Sequence, residues 1–204
     1  MPYRVPSLGL RMASLLFLLC MPALLLAATR DALVIGVNQY EAPLSPLANA
    51  ERDAQSVADA LQARGFQVRL LLNPDRAAVL AAVQQLATDN ARSDPRDPAG
   101  VMLVYFAGHG IEYLGERATR GNYLLPAGSS LERLGDSSLL LPELLLALKT
   151  ANRRNNIVIL NACRDVVSRG LQQIAPALPE GVSQQWSESV QMPEGDFLVQ
   201  YAAP

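Results

Sequence analysis

The sequence predicts an α/β domain with a mainly parallel central sheet covered by helices on both faces. Three observations lead there. Short apolar runs rich in β-branched residues recur along the chain. Segments with helical apolar spacing stand between them. Gly, Asn and Pro fall at the joints where such elements begin and end. Residues 32–37 (ALVIGV) read as a first strand, apolar on both faces and therefore buried on both. Residues 49–64 read as a helix, because Ala50, Ala54, Val57, Ala58 and Leu61 fall at helical spacing and Gly65 supplies the stop. Residues 66–72 (FQVRLLL) form a second strand. Asn73-Pro74 then reads as the start of a helix over 77–88, with proline where a missing N–H costs nothing. Residues 90–100 (NARSDPRDPAG) read as a polar surface loop.

A third buried strand, 101–106 (VMLVYF), is expected to run into a turn at Ala107-Gly108-His109-Gly110, followed by a polar loop over 111–121. Residues 122–126 (NYLLP) look briefly extended, and 140–151 read as a helix with Pro142 in its first turn. A fourth strand, 157–160, runs into Asn161-Ala162-Cys163-Arg164-Asp165. Residues 166–194 carry prolines and little periodicity, and 197–201 (FLVQY) read as a fifth strand.

Composition removes several function classes. Half of the 204 residues are apolar, 18% are charged and the net charge is −2, which fits neither a disordered tail nor a basic nucleic-acid surface. No repeat of 20–50 residues points to a solenoid. No G-x-G-x-x-G follows the first strand, no dense acidic loop suggests calcium, and one histidine with two cysteines cannot build a zinc cluster. No metal and no cofactor are expected.

Residues 1–28 read as a leader. Arg4 and Arg11 precede a run of 14 apolar residues over 13–26, Ala27-Ala28 offer small residues for cleavage, and the first acid is Asp31. The run is short for a span of about 20 residues. The expectation is a signal peptide, or an uncleaved membrane anchor, and an exported protein, periplasmic or secreted. Without the leader's two arginines, 15 bases face 19 acids, net −4. Cys163 is then the one cysteine left in an oxidising compartment, so it has no internal disulfide partner. It reads either as a buried apolar thiol or as a nucleophile.

In a parallel sheet, ligands bind outside the carboxyl ends of the strands. His109 and Cys163 each sit at the carboxyl end of an expected strand, and after export each is the only residue of its kind. Imidazole titrates near neutral pH and can draw the proton from a nearby thiol, so the pair reads as a Cys–His dyad. The main-chain N–H groups of Gly110 and Cys163, at the same sheet edge, are candidates for an oxyanion hole.

Residues 101–110 (VMLVYFAGHG) and 156–165 (NIVILNACRD) resemble the two catalytic segments of the caspase-like cysteine peptidases, bacterial metacaspase-like members included. A Q-A-C-R-G type segment with its histidine about 50 residues upstream marks caspases. Here the motif is N-A-C-R-D, with the two residues 54 apart. Residues 32–40 (ALVIGVNQY), 47–54 (LANAERDA), 60–66 (ALQARGF) and 122–126 resemble that family's large-subunit core in the same order. The resemblance implies the caspase fold and a cysteine endopeptidase in which Cys163 attacks the scissile carbonyl and His109 protonates the leaving amine. It places Asp53 at the floor of a pocket for a basic P1 side chain. The same residue also reads as a first-turn helix acid that favours the macrodipole.

Two departures stand out. Asn161 occupies a position where metacaspase-like members carry aspartate, which predicts weaker discrimination for basic P1 side chains. The family's domain continues past the strand matched by 197–201 into a small-subunit portion, whereas this sequence ends at Pro204. The expectation is therefore a caspase-like catalytic domain over 31–204 that is C-terminally incomplete. The expected partner is a protein or peptide substrate. Nucleic acid is excluded, membrane contact runs only through an uncleaved N-terminal segment, and the sequence says nothing of oligomeric state. The resemblance also implies that 166–194 is a linker cut during maturation; Arg169-Gly170 then offers a processing point to a pocket that takes arginine, and the same segment also reads as an ordinary surface loop. The competing readings are a catalytically inactive caspase-like interaction module and an α/β thiol hydrolase acting on a small ester or amide.

Overall fold

The computed structural model describes residues 29–92, 100–151, 155–163, 182–183 and 197–201. The leader at 1–28 and the processing point at Arg169 lie outside the described residues, as do Arg164 and Asp165. In chain order the elements are β1 (Arg30–Gly36), α1 (Ala50–Gln62), β2 (Gln67–Leu72), α2 (Arg76–Ala91), β3 (Val101–Tyr113), β4 (Gly121–Leu124), a 3₁₀ turn (Leu131–Arg133), α3 (Leu134–Ser137), β5 (Leu139–Leu140), α4 (Leu141–Lys149), β6 (Asn155–Cys163), β7 (Val182–Ser183) and β8 (Phe197–Tyr201).

Five strands make a parallel sheet in the order β2-β1-β3-β6-β8. The chain steps from β1 outward to β2, then back across β1 to β3. Right-handed crossovers in opposite directions put their helices on opposite faces. The packing follows. Ala32 and Val34 of β1, with Leu103, Tyr105 and Ala107 of β3, pack against Ala50, Ala54 and Ala58 of α1. On the other face, Leu33, Ile35, Met102, Val104 and Phe106 meet Val79 and Val83 of α2 and Leu141, Leu144 and Leu148 of α4. Each fully buried Leu or Ile contributes about 1.5–3 kcal/mol relative to an exposed one.

The alanine face of α1 lets that helix approach the sheet closely at Gly36. A Cβ built there would lie 2.7 Å from the Ala50 carbonyl oxygen and 2.7 Å from the Ala54 Cβ. One of those neighbours is backbone, so the helix itself would have to move. Gly36→Ala is expected to destabilise the fold by about 1–3 kcal/mol. A urea midpoint equal to that of the parent protein would contradict this packing.

β3 departs from the sequence expectation. It continues as one strand to Tyr113, so the expected turn at 107–110 and the first three residues of the expected polar loop at 111–121 are corrected, while 114–120 remain outside any strand. Over 101–107 it pairs with β1 and over 101–109 with β6, both parallel. Over 110–113 it pairs with β4 and over 112–113 with β7, both antiparallel. Two neighbours give way to two others within a few residues. Ala107, Gly108 and Gly110 have little strand preference, and pairing on both sides overrides it. Two smaller corrections follow. Asn73-Pro74 does not begin α2, whose N-cap is Asp75, accepting a hydrogen bond from the Ala78 N–H at 2.7 Å. β6 runs from 155 through Cys163 rather than stopping at 160.

Candidate active site

His109 stands where β3 changes partners. Its register partner on β6 is Cys163, the last residue of that strand. Strands of one sheet lie about 4.8 Å apart, so the histidine and cysteine positions are one strand spacing from each other. Chain positions 54 apart thus become lateral neighbours.

His109 is buried, at 7% exposure. Its Nε2 lies 2.8 Å from the Ser45 carbonyl oxygen. A carbonyl can only accept, so in the neutral ring Nε2 carries the proton and Nδ1 is the basic nitrogen. Nδ1 has no hydrogen-bond partner among the described residues. Burial holds the imidazole below its ordinary pKa, with the Ser45 hydrogen bond opposing part of that shift. The ring is therefore neutral at neutral pH.

That shift has a sign for stability. The unfolded chain binds a proton on this histidine at a higher pH than the folded one. Stability contributed by the neutral buried ring is present above the unfolded value, about pH 6.5, and is lost as pH falls below it toward the folded value. His109→Gln removes that dependence. Urea unfolding between about pH 7.5 and about pH 5 should show a steeper loss for the parent than for the variant, and equal slopes would refute it.

The loop at 37–49 holds this ring. Tyr40, buried at 7% exposure, places its ring 4.4 Å from the imidazole at a 49° tilt. The Tyr40 hydroxyl accepts from the His109 N–H at 2.8 Å and donates to the Leu125 carbonyl at 2.8 Å. Asn73 pins the loop from below. Its backbone lies in the left-handed region at φ 49°, its Oδ1 accepts from the Asn38 and Gln39 N–H groups, and its Nδ2 donates to Glu51. Asn38 Oδ1 in turn accepts from the Glu51 N–H at 3.0 Å and so caps α1.

A second group forms on the face covered by α1. Asn161 Nδ2 donates to the Tyr105 hydroxyl at 3.1 Å and lies 3.5 Å from Asp53 Oδ2, a long contact. A carboxylate only accepts, so the amide nitrogen must be the atom facing Asp53. Burial raises the Tyr105 hydroxyl pKa, with the Asp53 charge adding to the effect and the Asn161 hydrogen bond opposing it. Asp53 sits in the first turn of α1, half-buried, one residue from the Ala54 that packs at Gly36. Both readings of Asp53 are compatible with that position.

The structure thus sets His109 beside Cys163 and Asp53 beside Asn161. Gly110 lies opposite Leu124 in the antiparallel stretch of β3, and Cys163 is itself a strand residue. Both residues thus lie within strands expected from the sequence to end at 106 and 160. Tyr40, Ser45, Asn73 and Tyr105 were not anticipated. Strand alternation from His109 back to Tyr105 is a signal that could have found the last of these. Ser45 acts through its carbonyl, which any residue type would supply.

The caspase domain family (Peptidase C14) matches the chain over residues 29–204. No curated protein matches it. Among solved structures it is similar to protein GSU0716 of Geobacter sulfurreducens, with 22% identity and a TM-score of 0.51. The likeness covers 66% of this chain and 50% of that one, so the chain spans half the length of that structure. At this identity the likeness is one of fold.

Proposed function

The chain belongs to the caspase-domain family of cysteine peptidases, and we propose that it is an endopeptidase cutting after basic residues through a Cys163–His109 dyad. The observation that carries this reading is the parallel register that sets His109 beside Cys163. A neutral imidazole with its proton on Nε2 leaves Nδ1 as the base such a pair needs.

In the proposed reaction His109 Nδ1 takes the Cys163 thiol proton. The thiolate attacks the scissile carbonyl carbon, and a C–S bond forms as the carbonyl π electrons move to oxygen. The main-chain N–H groups of Gly110 and Cys163 are the proposed donors to that oxyanion. Losing one such donor typically costs about 3 kcal/mol of barrier. The C–N bond then breaks as His109 gives its proton to the leaving amine. Water, deprotonated by the same nitrogen, hydrolyses the thioester and returns the proton to sulfur. The Ser45 carbonyl steadies the imidazolium formed midway, because it accepts from Nε2 throughout.

Asp53 is the proposed charge partner of a basic P1 side chain. The Asn161 amide, with its nitrogen turned to Asp53 and Tyr105, offers its carbonyl oxygen as a second acceptor. No metal or cofactor enters this mechanism. The proposed setting is outside the cytoplasm, on protein or peptide substrates, with membrane contact only through the N-terminal segment.

The test is covalent labelling with two peptidyl acyloxymethyl ketones, one with arginine and one with aspartate at P1. The arginine probe is expected to modify Cys163, located by mass spectrometry, and to leave the Cys163→Ala variant unlabelled. Labelling by neither probe would favour the inactive interaction module, and labelling by the aspartate probe alone would overturn the assignment of Asp53.

A further inference from the structure

We propose that Tyr40 is the positioning residue of the dyad, and that its hydroxyl acts by standing in for a missing rung of the sheet. The inference rests on reading His109 as the general base. β1 ends at Gly36, opposite Ala107 of β3, and β4 takes up pairing at Gly110. The Val37 N–H still reaches the Ala107 carbonyl, and the Leu125 N–H reaches the His109 carbonyl at 3.0 Å. An ordinary antiparallel pair would return a direct bond from the His109 N–H to the Leu125 carbonyl. The Tyr40 hydroxyl sits in that bond instead, 2.8 Å from each end.

Two hydrogen bonds through an oxygen span more than one direct bond of about 2.9 Å, so the inserted hydroxyl keeps the His109 N–H away from the Leu125 carbonyl while the neighbouring bond stays direct, which tilts the strand at His109. Gly108 makes the insertion possible. A Cβ there would lie 2.7 Å from the Tyr40 hydroxyl and 2.8 Å from the Phe106 ring. The Tyr40 ring packs on the imidazole, and the Ser45 carbonyl, five residues along the same loop, accepts the hydrogen bond from Nε2–H. One loop therefore sets the height of the histidine backbone, the tilt of its ring and its tautomer.

Removing the hydroxyl should let residues 109 and 125 close onto each other and draw the imidazole off the Ser45 carbonyl. The protein has one histidine, so ¹⁵N-imidazole spectra report His109 alone and need no turnover. In the parent, at about pH 7.5, the neutral Nε2–H tautomer is expected to dominate. Tyr40→Phe is expected to mix the tautomers and to lower kcat about 100-fold, the scale of a small misplacement, with KM within about twofold. Tyr123→Phe is the control. It removes another hydroxyl bond from the same part of the fold, 2.8 Å to the Thr119 carbonyl, and should leave the tautomer unchanged. Should Tyr40→Phe not fold, Gly108→Ala displaces the hydroxyl without deleting it and should give the same tautomer mixing. A parent-like tautomer in the folded variants overturns the proposal, and so does mixing of equal size in Tyr123→Phe. A parent that turns over no peptide, with Tyr40→Phe still losing its tautomer, would remove the peptidase reading and leave the positioning role of Tyr40 standing.

Discussion

Cys163→Ala and His109→Ala are each expected to lower peptide turnover on the order of 10⁴-fold or more, because nucleophile and base act as one unit and either loss removes the covalent route. The double variant should be no worse than the poorer single. Near-equal losses for the singles and the double would mark one shared step, whereas multiplying losses would mean that the two residues act apart. Retained turnover in Cys163→Ala would assign any observed activity to another protein in the preparation. Circular dichroism and a urea midpoint should show both variants folded. His109 sits in a strand whose pairing is made by its backbone on both sides, so the ladder survives loss of the ring.

Asp53→Asn is expected to lower kcat/KM for arginine and lysine at P1 by about 10- to 100-fold, matching about 1.5–3 kcal/mol for a hydrogen bond to a charged group. Cleavage after neutral residues should change little. Asp53 is half-buried and its carboxylate contact to Asn161 is long at 3.5 Å, so the unfolding midpoint should stay near that of the parent. A peptide library read by mass spectrometry decides the matter. A variant that keeps its preference for basic P1 would return Asp53 to the role of a helix-dipole acid. Asn161 carries no charge, which leaves Asp53 as the carboxylate of this pair and makes its loss the larger effect.

The alternation of apolar strands and amphipathic helices was enough to expect a parallel sheet covered on both faces, because a strand buried on both faces is apolar throughout while a covering helix is apolar at period 3.6. The alanines of α1 and the run at 197–201 fall where that reasoning puts them. His109 and Cys163 were legible as a pair because each is rare and each ends an apolar run. Asp53 and Asn161 were singled out by resemblance alone, and the 3.5 Å approach between them depends on where α1 crosses the sheet at Gly36.

What the sequence determined by itself was the five strands of the parallel sheet, the three longer helices and the chemical groups near their ends, since periodicity and residue type are local properties. Tertiary structure alone decided the rest. The segment from Ala107 to Tyr113 looks like a turn and a polar loop, and it becomes strand because β6, β4 and β7 supply hydrogen-bond partners that no local propensity records. The orientation of His109 depends on the Ser45 carbonyl and on a tyrosine hydroxyl lying between the strand pair at residues 109 and 125. A backbone carbonyl has no signature in the sequence, and a rung replaced by a side chain 69 positions away exists only once the strands are in register.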